Sequence, residues 1–129
     1  MSDETPTETV LRFCAAWSDL DVDAICDWFT DDAVYHNIPI DPVTGREAIK
    51  GMIQTFTTGV QSIEFRVRNH ATNGNVVMTE RVDAFVMPDK TIELPVMGTF
   101  EVTADGKISA WRDYFDLNQF MSQMAPPAS

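Results

Sequence analysis

The chain has 129 residues, an apolar share of 44% and a formal net charge of −11. That length suits one domain, residues 1–129, with a hydrophobic core that needs no disulfide staples. The acidic balance disfavours nucleic acid and anionic membranes as partners, since both are bound through basic surface, and no apolar run is long enough to span a bilayer.

The first residues, Met1-Ser2-Asp3-Glu4, lack the basic and apolar regions of a signal peptide, so the expected location is cytoplasmic. Thr5 to Glu8 read as a helix start: Thr5 is placed to cap, Pro6 fits the first helical position and Glu8 completes a capping box. Val10, Leu11, Phe13, Cys14 and Trp17 then recur at helical spacing. Asp21 opens a second, shorter helix expected to run through Ala24, Ile25, Trp28 and Phe29. Cys14 and Cys26 fall in these helical segments without metal-ligand spacing and read as reduced, semi-buried thiols. Residues 32–38 read as a strand, Pro39 and Pro42 mark a loop, and Thr44 to Glu47 form a second capping box before Ile49, Met52, Ile53 and Phe56 on a third helix.

After Gly59 the period changes from helical to alternating. Ile63, Phe65 and Val67 alternate with Glu64, Arg66 and Arg68 over residues 62–70. Residues 75–87 and 91–103 are two longer strands with a turn at Pro88-Asp89-Lys90, and Ala104 to Lys107 carry hairpin chemistry leading into a last strand over 107–115. Asp116 and Gln119 are spaced as a helix cap, and the tail from Met124 to Ser129 is expected to fray. Helices first, then strands joined by short turns, give an α+β fold with a mostly antiparallel, strongly curved sheet wrapped around the helices. Strand 75–87 is apolar on both faces: Val77, Thr79, Arg81, Asp83 and Phe85 on one, Val76, Met78, Val82, Ala84 and Val86 on the other, broken by Glu80. Three helices cover one face, so the other predicts a partner subunit.

Three short motifs carry the chemistry: Tyr35-His36-Asn37, Arg81-Val82-Asp83 and Trp111-Arg112-Asp113. Each lies on an expected strand, where side chains at i and i+2 share a face. Asp113 sits between Trp111 and Phe115 on the face that reads as buried, and a buried carboxylate requires a partner, for which Arg81 is the best candidate. The parity of His36 turns it away from Tyr35 and Asn37; His36 and His70 read as surface or structural residues, and Asp31 and Asp32 as solvated at a strand entry. The methionines, Met52, Met78 and Met97 among them, read as core or interface filler. Two carboxylates near one Arg, beside neutral hydrogen-bonding groups, suit acid/base chemistry on a neutral substrate.

Tyr-x-Asn, Arg-x-Asp and Trp-x-Asp in this order, with the run from Gly98 to Phe120, resemble the limonene-1,2-epoxide hydrolase family, and the resemblance extends from the first helix to Phe120. It implies the nuclear transport factor 2-like (SnoaL-like) fold, with helices packed in the concavity of a curved sheet, and usually a homodimer. By resemblance, Asp113 corresponds to the general base that activates water, Tyr35 and Asn37 help to hold that water, Asp83 is the general acid that protonates the epoxide oxygen, and Arg81 bridges the two carboxylates. Trp111 shapes the pocket near the base, while Phe85, Leu94, Val96, Phe115 and Phe120 fall where the family lines its apolar cavity. The implied reaction is one-step addition of water to a small apolar epoxide, giving a vicinal diol with no metal, no organic cofactor and no covalent intermediate. Two Asp in one apolar pocket resist ionising together, so their environments split them into acid and base. The rival readings are an isomerase or cyclase of ketosteroid or polyketide type on the same fold, and a non-catalytic module that binds an apolar ligand.

Overall fold

The computed structural model describes residues 4–124; the tail expected to fray lies mostly outside that range. Helix α1 spans Pro6–Ala16, and the Thr5/Glu8 capping box forms as the sequence predicts, with Glu8 N donating to Thr5 Oγ1 at 3.1 Å and Thr5 N to Glu8 Oε1 at 3.2 Å. Its inner face buries Val10, Phe13 and Cys14. A short 3₁₀ turn over Trp17–Asp19 leads to α2, Val22–Cys26, capped by Asp21 at Ala24 N. Helix α2 stops short of its expected end: Phe29 opens strand β1, Phe29–Asn37, because pairing of that segment with Ile108 captures it.

The second predicted capping box does not form. Gly45, at φ 96°, is the N-cap of α3 (Arg46–Thr57) and no side chain caps that end. Thr44 instead belongs to a two-residue strand, β2 (Val43–Thr44), inside the segment expected to be loop, where it pairs antiparallel with Val34. Four further elements follow as β3 (Ser62–Asn73), β4 (Val76–Met87), β5 (Lys90–Val102) and β6 (Ile108–Tyr114), and α4 covers Leu117–Met124 with Asp116 accepting from Gln119 N at 3.2 Å.

The strands form one six-stranded sheet in the order β2-β1-β6-β5-β4-β3. All neighbours are antiparallel except β1 and β6, which run parallel, so the fold is α+β with a mixed, mostly antiparallel, curved and open sheet. The inner face holds α1, α2 and α3 against it through an aromatic core: Phe13 meets Trp17, Phe29, Phe100 and Trp111 edge-on, with ring centroids 5.1–6.0 Å apart. Such edge-to-face pairs add specificity beyond area burial. The outer face carries exposed Met78, Met97 and Tyr114, with Val82 and Val86 half-buried on the same strands. Ala84 departs from the expected exposed apolar row: it is already covered within the single chain, flanked in register by Glu64 and Glu93. Among the described residues no helix is long and apolar enough to cross a membrane.

Candidate active site

Strand β4 turns Val77, Thr79, Arg81, Asp83 and Phe85 toward the helices, and all five are buried. On β6 the same parity turns Trp111 and Asp113 inward, and β1 lies parallel beside it so that Tyr35 pairs with Trp111 and Asn37 with Asp113. The three sequence motifs therefore converge on one end of the concave face.

Arg81 is the hub. Its Nε donates to Asp83 Oδ1 and its Nη2 to Asp83 Oδ2, both at 2.9 Å. Nη2 also donates to Asp113 Oδ2 at 2.9 Å, and Nη1 to Asp113 Oδ1 at 3.2 Å and to Thr79 Oγ1 at 3.1 Å. A guanidinium has five N–H donors, and here every one has an acceptor. The ring of Phe65 lies 4.8 Å from the guanidinium carbon, adding a cation–π contact to the fork.

The carboxylates are not equivalent. Among the described residues Asp83 receives hydrogen bonds from Arg81 alone, whereas Asp113 takes a further one from the indole Nε1 of Trp111 at 2.6 Å. Burial pushes the Asp83 carboxyl up from 3.8 to about 6; the Arg81 charge and its hydrogen bonds pull the other way, and the Asp113 charge adds to the rise. Burial thus favours the protonated form of Asp83. Burial opposes the charge on Arg81, but Asp113 and Asp83 outweigh it and hold the guanidinium protonated. The Tyr35 phenol is raised well above 10.0, first by burial and then by the Asp113 charge, with a hydrogen bond to Asn37 acting in the opposite direction. It stays a neutral O–H group, stacked on Trp111 at 4.1 Å and 4°.

These groups sit at the wall of a cavity of about 160 Å³. Tyr35, Asn37, Asp83 and Asp113 form its polar end, and Phe85, Leu94, Val96, Phe115 and Phe120 line it as the sequence suggests. Trp111 is not in the wall; it lies fully buried behind Tyr35 and meets the site through its indole N–H. His36 faces away, its Nε2 at 2.9 Å from the Ile40 carbonyl, and His70 is exposed. Asp31 is solvated and pairs with Arg46 at 3.0 Å. Cys14 and Cys26 are buried outright rather than semi-buried, and burial pushes the Cys14 thiol up to about 12. Among the described residues no cluster of three His, Cys, Asp or Glu side chains is placed to hold a metal ion.

Sequence reasoning missed Thr79 and the lining residues Ile40, Met52, Phe56, Phe65 and Leu117. Thr79 had a visible signal, since it shares its strand face with Arg81. Met52 and Phe56 recur at i and i+4 on α3, but helical period alone does not tell a core-facing row from a cavity-facing one.

Comparison with known proteins identifies a family for the chain. Residues 4–126 match the limonene-1,2-epoxide hydrolase catalytic domain. Epoxide hydrolase EphG of Mycobacterium tuberculosis is 32% identical over 108 residues, covering 84% of this chain and 71% of that protein. The solved structure of an M. tuberculosis epoxide hydrolase like those of this family superposes with a TM-score of 0.78 at 29% identity, covering 91% of this chain and 86% of the other. A candidate SnoaL-like polyketide cyclase from Shewanella denitrificans OS-217 superposes with a TM-score of 0.82 at 15% identity, over 92% of this chain and 96% of the other, and so shares the fold alone. With its family match running through nearly every residue and a relative at about one-third identity over most of both chains, this chain belongs to the limonene-1,2-epoxide hydrolase family.

Proposed function

We propose that this chain adds water directly to a small apolar epoxide to give a vicinal diol. The carrying observation is a single Arg81 guanidinium that grips two carboxylates of unequal surroundings at the polar end of an apolar cavity. In this reading Asp113, ionised and steadied by Trp111, takes a proton from a water held with Tyr35 and Asn37. The water oxygen attacks one epoxide carbon as that carbon–oxygen bond breaks. Asp83 gives its proton to the departing oxygen, and the product is a neutral diol. Asp113 then carries the proton and Asp83 the charge, so one proton transfer through solvent resets the pair. The trio keeps one negative charge beside one guanidinium throughout, which limits the electrostatic reorganisation the step requires.

Epoxide strain supplies much of the driving force, and the obstacle is the alkoxide leaving group. A carboxyl raised to about 6 is a suitable donor to it. Water and the chain's own side chains suffice for this reaction, so it takes no metal or organic cofactor. The working unit in this reading is a homodimer closed over the outer sheet face, which the exposed Met78, Met97 and Tyr114 support. The cytoplasm is its compartment, in keeping with two free thiols.

A panel of cyclic, terpene-like and aryl epoxides, read by chiral chromatography, tests the activity and also gives the stereochemistry. A single turnover in ¹⁸O-labelled water with enzyme in excess should place label in the diol at once. Unlabelled diol in the first turnover would mean a covalent carboxylate ester, and isomerisation of a ketosteroid without diol release would favour the other chemistry of this fold.

A further inference from the structure

We infer that Gly98 is a positioning residue of the site, present because the Arg81–Asp113 fork occupies the space a side chain would fill; this rests on the proposed reading of that fork as the acid/base centre. The reason lies in the strand order. Arg81 is on β4 and Asp113 on β6, with β5 between them. Neighbouring strands lie about 4.8 Å apart, so the two residues start roughly 10 Å apart across the sheet and their side chains must meet over the middle strand. Gly98 occupies that strand in the row of Thr79 and Asp113, pairing with Thr79 on one side and Asp113 on the other.

A Cβ built on Gly98 would fall within overlap distance of Arg81 Nη1, 2.5 Å from Asp113 Oδ1 and 3.2 Å from Thr79 Oγ1. All three atoms belong to the same hydrogen-bonded group. The guanidinium is not free to move aside, because the Phe65 ring centroid lies 4.8 Å from its carbon and Asp83 holds two of its donors.

Backbone conformation gives no competing reason for glycine. Gly45, Gly59, Gly74 and Gly106 have positive φ, as turns and caps require, whereas Gly98 does not and lies within a regular strand. A glycine inside a strand is unfavourable on intrinsic grounds and marks close approach of another group. Here that group is the pair proposed to carry the reaction. Gly98 does not line the cavity, so its effect should fall on chemistry and leave substrate binding alone.

Gly98→Ala tests this through kcat and KM on an epoxide the wild type opens. The expected result is a fall in kcat of about 10²-fold, with KM within a few-fold of wild type and a displaced pH profile, since misplacing reacting groups by about 1 Å costs that much. A folded Gly98→Ala enzyme with wild-type kcat and pH profile overturns the inference. A thermal-unfolding cycle of wild type, Gly98→Ala, Arg81→Lys and the double variant tests the same contact without any substrate. The loss of Tm caused by Gly98→Ala should be clearly smaller in the Arg81→Lys background, where the slimmer head group leaves room; equal losses in both backgrounds overturn the inference. Because the second arm needs no turnover, a wild type inactive on epoxides would refute the proposed reaction and leave the positioning contact still decided.

Discussion

At the scale of single residues the chain concentrates its risk in Arg81, Asp83 and Asp113. Leaving one partner of a buried ion pair uncompensated costs about 3–5 kcal/mol, so substitutions here should be made isosteric and read on folded protein. Asp113→Asn and Asp83→Asn are each expected to lower epoxide turnover by about 10²-fold or more, as for loss of a positioned base or acid; a folded variant near wild-type rate would remove that residue from the mechanism. Arg81→Lys separates a structural staple from a charge-setting bridge. Lysine has three donors on one nitrogen and cannot fork across two carboxylates, whereas Arg81 uses all five of its own. Folded Arg81→Lys should lose most activity and shift its pH profile, and unchanged values of both would confine Arg81 to structure.

The Asp83 carboxyl also sets a pH dependence whose sign can be worked out. Burial raises its folded value to about 6, above the unfolded 3.8, so the folded protein binds this proton more tightly. Its contribution to stability is therefore full below 3.8 and is lost as pH rises through about 6. The same deprotonation removes the proposed acid, so kcat/KM should decline on the alkaline side of that value. A rate independent of pH through this window would assign the proton donor elsewhere.

At the scale of elements, α4 closes the cavity, and hydrogen bonds to β5 fasten it, from Lys90 Nζ to the Gln123 carbonyl at 3.0 Å and through the Gln123 side chain. Among the described residues, strand pairing between β5 and β6 ends at Met97 and Tyr114, and the Glu93 backbone lies beyond that point on β5. The Gln123 carboxamide pairs with that backbone: Glu93 N donates to its Oε1 at 3.0 Å, and its Nε2 donates to the Glu93 carbonyl at 2.9 Å. It mimics a strand with one residue and satisfies a backbone donor and acceptor that would otherwise need water. This fastening carries Leu117 and Phe120 into the cavity wall. Gln123→Ala should therefore loosen α4 and raise KM for apolar epoxides several-fold, with the pH profile unmoved, because no member of the Asp–Arg–Asp group is touched. Faster amide exchange confined to residues 117–124 would be the structural readout, and an unchanged KM would show that α4 stays seated without the Gln123 side chain.

At the scale of the whole molecule, the proposed homodimer would close over the outer sheet face. Exposed Met78, Met97 and Tyr114 lie on adjacent strands with Val82 between β3 and β5, and a patch that meets itself about a two-fold axis closes into a dimer. Val82→Arg would set like charges against each other across such an axis. A shift to monomer or loss of solubility is expected by light scattering; an unchanged dimer would mean that the face points elsewhere.

What the chain's own order of residues determined is whatever depends on local period and parity. The i and i+2 spacing within Tyr35/Asn37, Arg81/Asp83 and Trp111/Asp113 assigns each pair to one strand face, and the length of the apolar alternation from residue 75 to 87 marks β4 within one residue of its start. The cap at Thr5 was legible because its donors and acceptors lie within one helical turn. Tertiary structure decided whatever depends on groups distant in sequence. Phe29 left the helix its spacing suggested because Ile108 pairs with it, and Thr44 abandoned a cap to join β1. Asp83 and Asp113 differ in surroundings because Trp111 donates to Asp113, and Gly98 matters only because β5 lies between the strands whose side chains must meet above it. Covalent neighbours set which way a side chain faces; the register of strands far apart in sequence sets what it faces, and the chemistry proposed for this site depends on the second.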